Sequence, residues 1–82
     1  MKAADFKRIS EDSQRKIVAD KGVMLSVLEW GNYRIFLFQV DGFYVEYFFS
    51  MSTNELAWTT VFDDTNMLSK YLEEIDITSI IP

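Results

Sequence analysis

Residues 33–49 read YRIFLFQVDGFYVEYFF, two runs of aromatic and branched side chains that meet at Asp41-Gly42. Such runs favour β-strands, and an Asp-Gly pair between them is a strong signal for a two-residue hairpin turn. Only Arg34, Asp41 and Glu46 carry a charge in this stretch. Because successive side chains of a strand point to opposite faces, the hairpin is apolar on both faces, and both need a cover.

The flanking sequence extends this hairpin into a four-stranded antiparallel meander. Gly31-Asn32 predicts a second two-residue turn, and residues 51–54 predict a longer one with Asn54 in a left-handed conformation. Connections this short make neighbouring strands antiparallel. The predicted strands cover residues 23–30, 33–40, 43–50 and 55–62.

A helix is predicted on the N-terminal side of the strands. Residues 2–20 contain no Gly or Pro, and apolar side chains recur at helical spacing from Phe6 to Ile17. We expect this amphipathic helix to break near Ser10-Glu11 and to end at Gly22.

A second helix is predicted over residues 64–75, after Asp63-Asp64, which is suited to helix capping. The predicted fold class is therefore α+β: an N-terminal helix, a four-stranded antiparallel β-meander and a C-terminal helix in two layers. Residues 1–82 contain no repeat or linker, so we expect a single α+β domain.

The two-residue turns fix the strand register, because a slip of one residue moves every side chain to the other face. Glu29 is then opposite Arg34, an ion pair across the strands. Continued through a four-residue loop at 51–54, the register pairs Tyr47 with Trp58 and Phe43 with Phe62. One face becomes a core that helices must cover. Met24 is expected on the opposite face, and the core face is expected to include Val23, Tyr47, Phe49, Trp58, Thr60 and Phe62.

The opposite face, called the second face below, carries an apolar patch that is unusual for a solvated surface. Three covers are open: the C-terminal tail or a helix, a second copy of the chain, or another protein or apolar ligand. We expect a non-enzymatic protein-interaction module that homodimerises by packing this aromatic face against the same face of a second copy. Buried aromatic side chains with a polar rim are typical of interfaces, and twofold pairing is the commonest oligomer. The predicted interaction surface is Leu28, Trp30, Tyr33, Ile35, Leu37, Tyr44, Phe48 and Val61.

Composition argues against several functions. The chain has no Cys and no His, so it lacks a thiolate metal site, a cysteine nucleophile and the commonest general base. The net charge is −5, and six of the eight basic residues lie within residues 1–21, which leaves an acidic main body. We therefore expect no nucleic-acid partner, no membrane association, no cofactor and no enzymatic activity, and a cytoplasmic location.

The acidic residues support an alternative function. Their spacing does not match a Ca²⁺-binding loop, and capping or solvation explains them more simply. An acidic inhibitor or immunity-type protein could instead capture a basic protein partner by charge. That alternative requires one continuous cluster of Glu46, Glu55, Asp63, Asp64, Glu73, Glu74 and Asp76.

Overall fold

A computed structural model describes residues 1–68, without the side chains of residues 66 and 67. Two helices are followed by four antiparallel strands in the order β1-β2-β3-β4, and the predicted meander is confirmed. The last described element is a 3₁₀ turn at Thr65–Leu68. The elements are α1 (Ala3–Arg8), α2 (Glu11–Lys21), β1 (Val23–Trp30), β2 (Tyr33–Val40), β3 (Phe43–Ser50) and β4 (Glu55–Phe62). Of the helix predicted over residues 64–75, residues 65–68 form this 3₁₀ turn, and residues 69–75 lie outside the described residues.

The N-terminal helix is broken where the sequence predicts it. Ile9 takes an extended conformation, and the Ser10 side chain caps α2 by accepting a hydrogen bond from the Ser13 amide at 3.2 Å. The Gln14 side-chain amide then donates to the carbonyl oxygen of Phe6 at 2.8 Å. This bond joins the first turn of α2 to the end of α1, so the two short helices pack as one unit.

Gly22 ends α2 by a close approach of the backbone. Its amide donates to the Val18 carbonyl oxygen at 2.8 Å, and a β-carbon at this position would clash with that oxygen. The φ of Gly22 is −74°, so the glycine is required by space and not by a left-handed conformation.

Left-handed conformations occur instead in the three turns. Gly31, Asp41 and Asn54 have φ values of 59°, 49° and 60°. Asp and Asn tolerate positive φ better than most residues that have a side chain. The predicted turn positions are therefore confirmed.

The predicted register is confirmed around both two-residue turns. Glu29 is opposite Arg34, and their side chains form an ion pair with a 3.1 Å separation between Oε2 and Nη2. Across the central hairpin, Phe36 is opposite Tyr47 and Phe38 is opposite Val45. The central pair of strands, β2 and β3, therefore has the alternation that the sequence predicts.

The predicted register is wrong along most of β4. A β-bulge leaves Ala57 without a partner, so Phe48 is opposite Trp58 and Tyr47 is opposite Thr59. The extra residue turns every later side chain of β4 to the other face. Trp58 consequently stacks on Phe48 on the second face, with ring centroids 4.4 Å apart.

The same bulge changes the surroundings of Val61, Phe62 and Thr60. Val61 was expected on the second face, but it packs against the helix-covered core. Phe62 was expected opposite Phe43, but it is opposite Tyr44 and stacks on that ring. Thr60 moves to the second face and lies beside Glu46.

A second bulge, at Leu25, alters the start of β1. Met24 is opposite Phe38, and Ser26 is opposite Leu37. The side chains of Val23 and Met24 are therefore exchanged between the faces relative to the sequence expectation.

The sheet has an apolar cluster on each side. On the helix side, α1 and α2 cover the end of the sheet near Asp41-Gly42. That cluster consists of Ala3, Phe6, Val18, Val40, Phe43 and Val45. The second-face cluster consists of Ile35, Leu37 and Phe48, with Leu28, Tyr33, Tyr44, Phe62 and Leu68 packed around it.

Glu46 is a buried acidic residue on the second face, with 2% of its surface exposed. The Thr60 hydroxyl donates a hydrogen bond of 2.6 Å to Glu46 Oε1. A buried carboxylate needs such donors, because removal from water is costly for its charged form. The bulge in β4 is what brings this donor to the correct face.

We expect Thr60→Val to lower the free energy of unfolding by about 1.5–3 kcal/mol, because it removes a hydrogen bond to a buried acidic group. The matched control is Thr59→Val, which removes the same hydroxyl on the opposite face and should change stability by less than about 0.5 kcal/mol. Urea unfolding of both variants measures the difference. A larger loss in Thr59→Val would indicate the register without a bulge.

Candidate interaction surface and groove

The centre of the predicted interaction surface is buried within the chain. Ile35, Leu37 and Phe48 have 5% or less of their surface exposed. Tyr33 is half-buried and meets Trp58 edge to face, with centroids 4.9 Å apart. These side chains contact one another and are not available to a partner as the chain stands.

The rest of the predicted surface is divided between the rim and the other face. Leu28 and Tyr44 are half-buried, and Val61 lies on the helix side. Trp30 is 64% exposed. Of the predicted set, Trp30 therefore presents the most open apolar surface.

The exposed apolar side chains concentrate on β1, an edge strand of the described sheet. The strand reads VMLSVLEW, without Lys or Pro, and its single charge, Glu29, is paired with Arg34. Natural edge strands usually carry charges or prolines that prevent pairing with other chains. The exposed large side chains of β1 are Val23, Met24, Leu25, Val27 and Trp30.

The turn at Gly31-Asn32 determines which backbone groups of β1 point outward. Trp30 and Tyr33 flank this two-residue turn and form its hydrogen-bonded pair, and such pairs alternate along an antiparallel ladder. The N–H and C=O groups of Val27 and Glu29 consequently point away from β2. They provide donors and acceptors for a further strand.

On the helix side, the two helices leave part of the sheet uncovered. There, side chains from α2, β3 and the start of β4 line a groove of about 610 Å³. Its walls are the half-buried rings of Tyr47 and Phe49 and the side chain of Leu56, and its charged residues are Arg15 and Glu55.

Three polar groups of this groove have no partner in the described part of the chain. The Tyr47 hydroxyl is buried, and no group within residues 1–68 forms a hydrogen bond with it. Within residues 1–68, Arg15 and Glu55 form no ion pair with each other or with another described side chain. Arg15 and Glu55 are exposed to water, so only the Tyr47 hydroxyl counts as an unsatisfied buried polar group, and such groups are rare in folded proteins.

Burial raises the pKa of the Tyr47 phenol above its ordinary value, and the nearby positive charge of Arg15 acts in the opposite direction. Desolvation disfavours the charged phenolate, so the hydroxyl stays protonated at neutral pH and remains a hydrogen-bond donor.

The acidic residues do not gather into one cluster in the described part of the chain. Glu55 begins β4 and Asp63 follows its end, so an eight-residue strand of about 25 Å separates them. Glu46 is buried beside Thr60. Glu73, Glu74 and Asp76 lie outside the described residues.

Residues 1–68 contain no candidate metal cluster and no candidate membrane-crossing helix. No group of three or more acidic side chains is arranged to hold a metal ion. No helix in this part combines the length and the apolar character needed to cross a membrane.

The groove was not predicted from the sequence. Tyr47 and Phe49 were assigned to a fully covered core, and Arg15 to the solvated side of the first helix. The length of the helix could have indicated the groove. α2 has 11 residues, and the sheet is four strands wide. A helix of that length, about 17 Å, covers only part of such a sheet.

Comparison with known proteins gave no match: no protein-family model, no curated protein and no solved structure is similar to the chain.

Tyr47→Phe should leave the free energy of unfolding unchanged or raise it by about 1 kcal/mol, because it removes a buried hydroxyl without a partner. Tyr44→Phe, a half-buried tyrosine of the second face, is the matched control and should change stability by less than about 0.5 kcal/mol. Urea unfolding at neutral pH tests both. A loss above about 1 kcal/mol in Tyr47→Phe would show that the hydroxyl has a stabilising partner.

The raised pKa of Tyr47 also predicts a pH dependence. In the unfolded chain this phenol ionises near pH 10, whereas in the folded chain it ionises at higher pH. Its contribution to stability is therefore complete below about pH 10 and is lost as the pH rises through the folded pKa. Between about pH 9 and 11, wild type should lose stability more steeply than Tyr47→Phe. Parallel slopes would contradict the burial of this phenol.

Proposed function

We propose that the chain is a non-enzymatic protein-interaction module that homodimerises by antiparallel pairing of β1 with β1 of a second copy. The observation that carries the proposal is the exposed, apolar and almost uncharged edge strand. The pairing would join two four-stranded sheets into one of eight strands and remove one exposed edge from each copy.

One register satisfies the outward backbone groups. With Leu28 on the twofold axis, Val27 of one copy is opposite Glu29 of the other, and both residues direct their N–H and C=O groups outward. This register uses only residues that follow the bulge at Leu25, so the pairing strands are regular. It also places Trp30 opposite Ser26 of the second copy, on the face where the sequence predicts the interface.

The side chains of β1 are compatible with pairing to themselves. Glu29 is the strand's single charge, and in this register it meets Val27, so no like charges face each other. The twofold axis brings Leu28 against Leu28 beside the second-face cluster, which extends an apolar surface that already exists. Self-pairing therefore needs no complementary charge from a different protein.

An acidic inhibitor or immunity-type protein remains the alternative, but no observation favours it. That hypothesis requires a continuous acidic surface, whereas the described acidic residues are dispersed. A monomeric chain that binds a basic protein would support this alternative.

Size-exclusion chromatography with light scattering tests the dimer at about 50 μM, a concentration that populates complexes with micromolar dissociation constants. Wild type should elute as a dimer. Val27→Pro should be a monomer, because the proline removes an outward N–H without breaking a hydrogen bond to β2.

Trp30→Ser is the second variant, and it should weaken the dimer at least tenfold by removing a large exposed side chain next to the twofold axis. Met51→Ser removes an exposed apolar side chain from the β3–β4 turn and is the matched control, which should remain dimeric. Far-ultraviolet circular dichroism verifies that each variant is folded. A monomeric wild type, or dimers unaffected by both Val27→Pro and Trp30→Ser, would overturn the proposal.

A further inference from the structure

We infer that the groove beside Tyr47 binds a small apolar zwitterion of about the size of a dipeptide. Its carboxylate would lie at Arg15, its ammonium group at Glu55, and its apolar side chains against Phe49 and Leu56. This site is on the helix side at β3 and β4, away from the β1 edge, and it is independent of self-association.

The size and the walls of the groove suit such a ligand. Its volume of about 610 Å³ lies within the range of small-molecule sites, which are commonly apolar with a few polar groups. Phe49 meets Phe36 edge to face with centroids 5.4 Å apart, so its ring is held in place by the sheet. The apolar wall is therefore formed before a ligand arrives.

The charges favour a zwitterion over a simple anion or cation. Arg15 and Glu55 line the same groove with opposite signs, and neither is neutralised by a described neighbour. A monoanion would be attracted by Arg15 and repelled by Glu55, and a monocation would experience the reverse. A ligand with both charges gains from each residue.

The Tyr47 hydroxyl supplies a third contact. Arg15 and Tyr47 line the same groove, so a carboxylate held by the guanidinium lies on the side of the groove where this phenol is. The hydroxyl is buried in the free chain, so the groove must open at Tyr47 before a ligand reaches it. The ligand would then provide the hydrogen-bond acceptor that no described residue offers to the buried hydroxyl.

A binding role would explain why the Tyr47 hydroxyl has no acceptor among the described residues of the free chain. Binding sites keep polar groups that are unsatisfied without ligand, at a cost in stability. The same hydroxyl should therefore slightly destabilise the free chain and strengthen the complex.

The inference is tested by titrating the intact chain with leucyl-leucine in an isothermal titration calorimeter. We expect saturable 1:1 binding with a dissociation constant of about 0.1–1 mM. Two derivatives each remove one charge: the C-terminal amide removes the carboxylate, and the N-acetyl form removes the ammonium group. Each should bind about five- to tenfold more weakly, as expected for one partly exposed charge contact.

Two variants assign each charge to its residue. Arg15→Gln should bind leucyl-leucine and its amide equally, while it still discriminates against the N-acetyl form. Glu55→Gln should show the opposite pattern. This crossed design separates a specific contact from a general loss of affinity, because only one of the two discriminations disappears in each variant.

Tyr47→Phe completes the test, because it should weaken binding of leucyl-leucine while the free variant is at least as stable as wild type. Lys16→Gln changes a neighbouring charge on α2 and is the control that should bind normally. No saturable binding at millimolar dipeptide, or equal affinity of wild type for all three compounds, would overturn the inference.

Discussion

The tight pairing of β2 with β3 across Asp41-Gly42 is the constraint on which the rest of the structure depends. Asp41 adopts a positive φ, and the two-residue turn allows one register for the hairpin. That register sends Val40, Phe43 and Val45 to the helices and Ile35, Leu37 and Phe48 to the second face. The two central strands consequently contribute to a buried cluster on each face of the sheet, and the outer strands pair with them.

The two bulges adapt the outer strands to this fixed centre. In β4, the bulge at Ala57 turns Trp58 onto Phe48 and Thr60 onto Glu46. A stacked aromatic pair and a donor for a buried carboxylate stabilise the shifted register, against the loss of regular pairing at one residue. The second face thereby becomes a core that contains one buried acidic residue, in place of an open apolar surface.

The surfaces left for function follow from what this arrangement does not cover. β1 is an edge strand, and its exposed side chains include Val27 and Trp30. The short helices leave the Tyr47 groove open at the opposite side of the sheet. Under the two proposals, one surface binds a strand of another copy and the other binds a small zwitterion, and the two surfaces share no residue.

The sequence by itself determined the elements whose cause is local. The turn-forming residues predicted the turns in which Gly31, Asp41 and Asn54 adopt a positive φ. Local sequence also predicted the break in the helix near Ser10, and the two-residue turn predicted the Glu29–Arg34 pair. Only the tertiary structure decided the bulges, the side on which Val61 and Trp58 lie, and the part of the sheet that α2 covers. Whether a bulge forms depends on a small free-energy difference between two strand registers, each of which changes the packing on both faces of the sheet. The area of sheet that a helix covers depends on how the helix docks. Neither quantity is encoded in the alternation of apolar and polar residues along one strand.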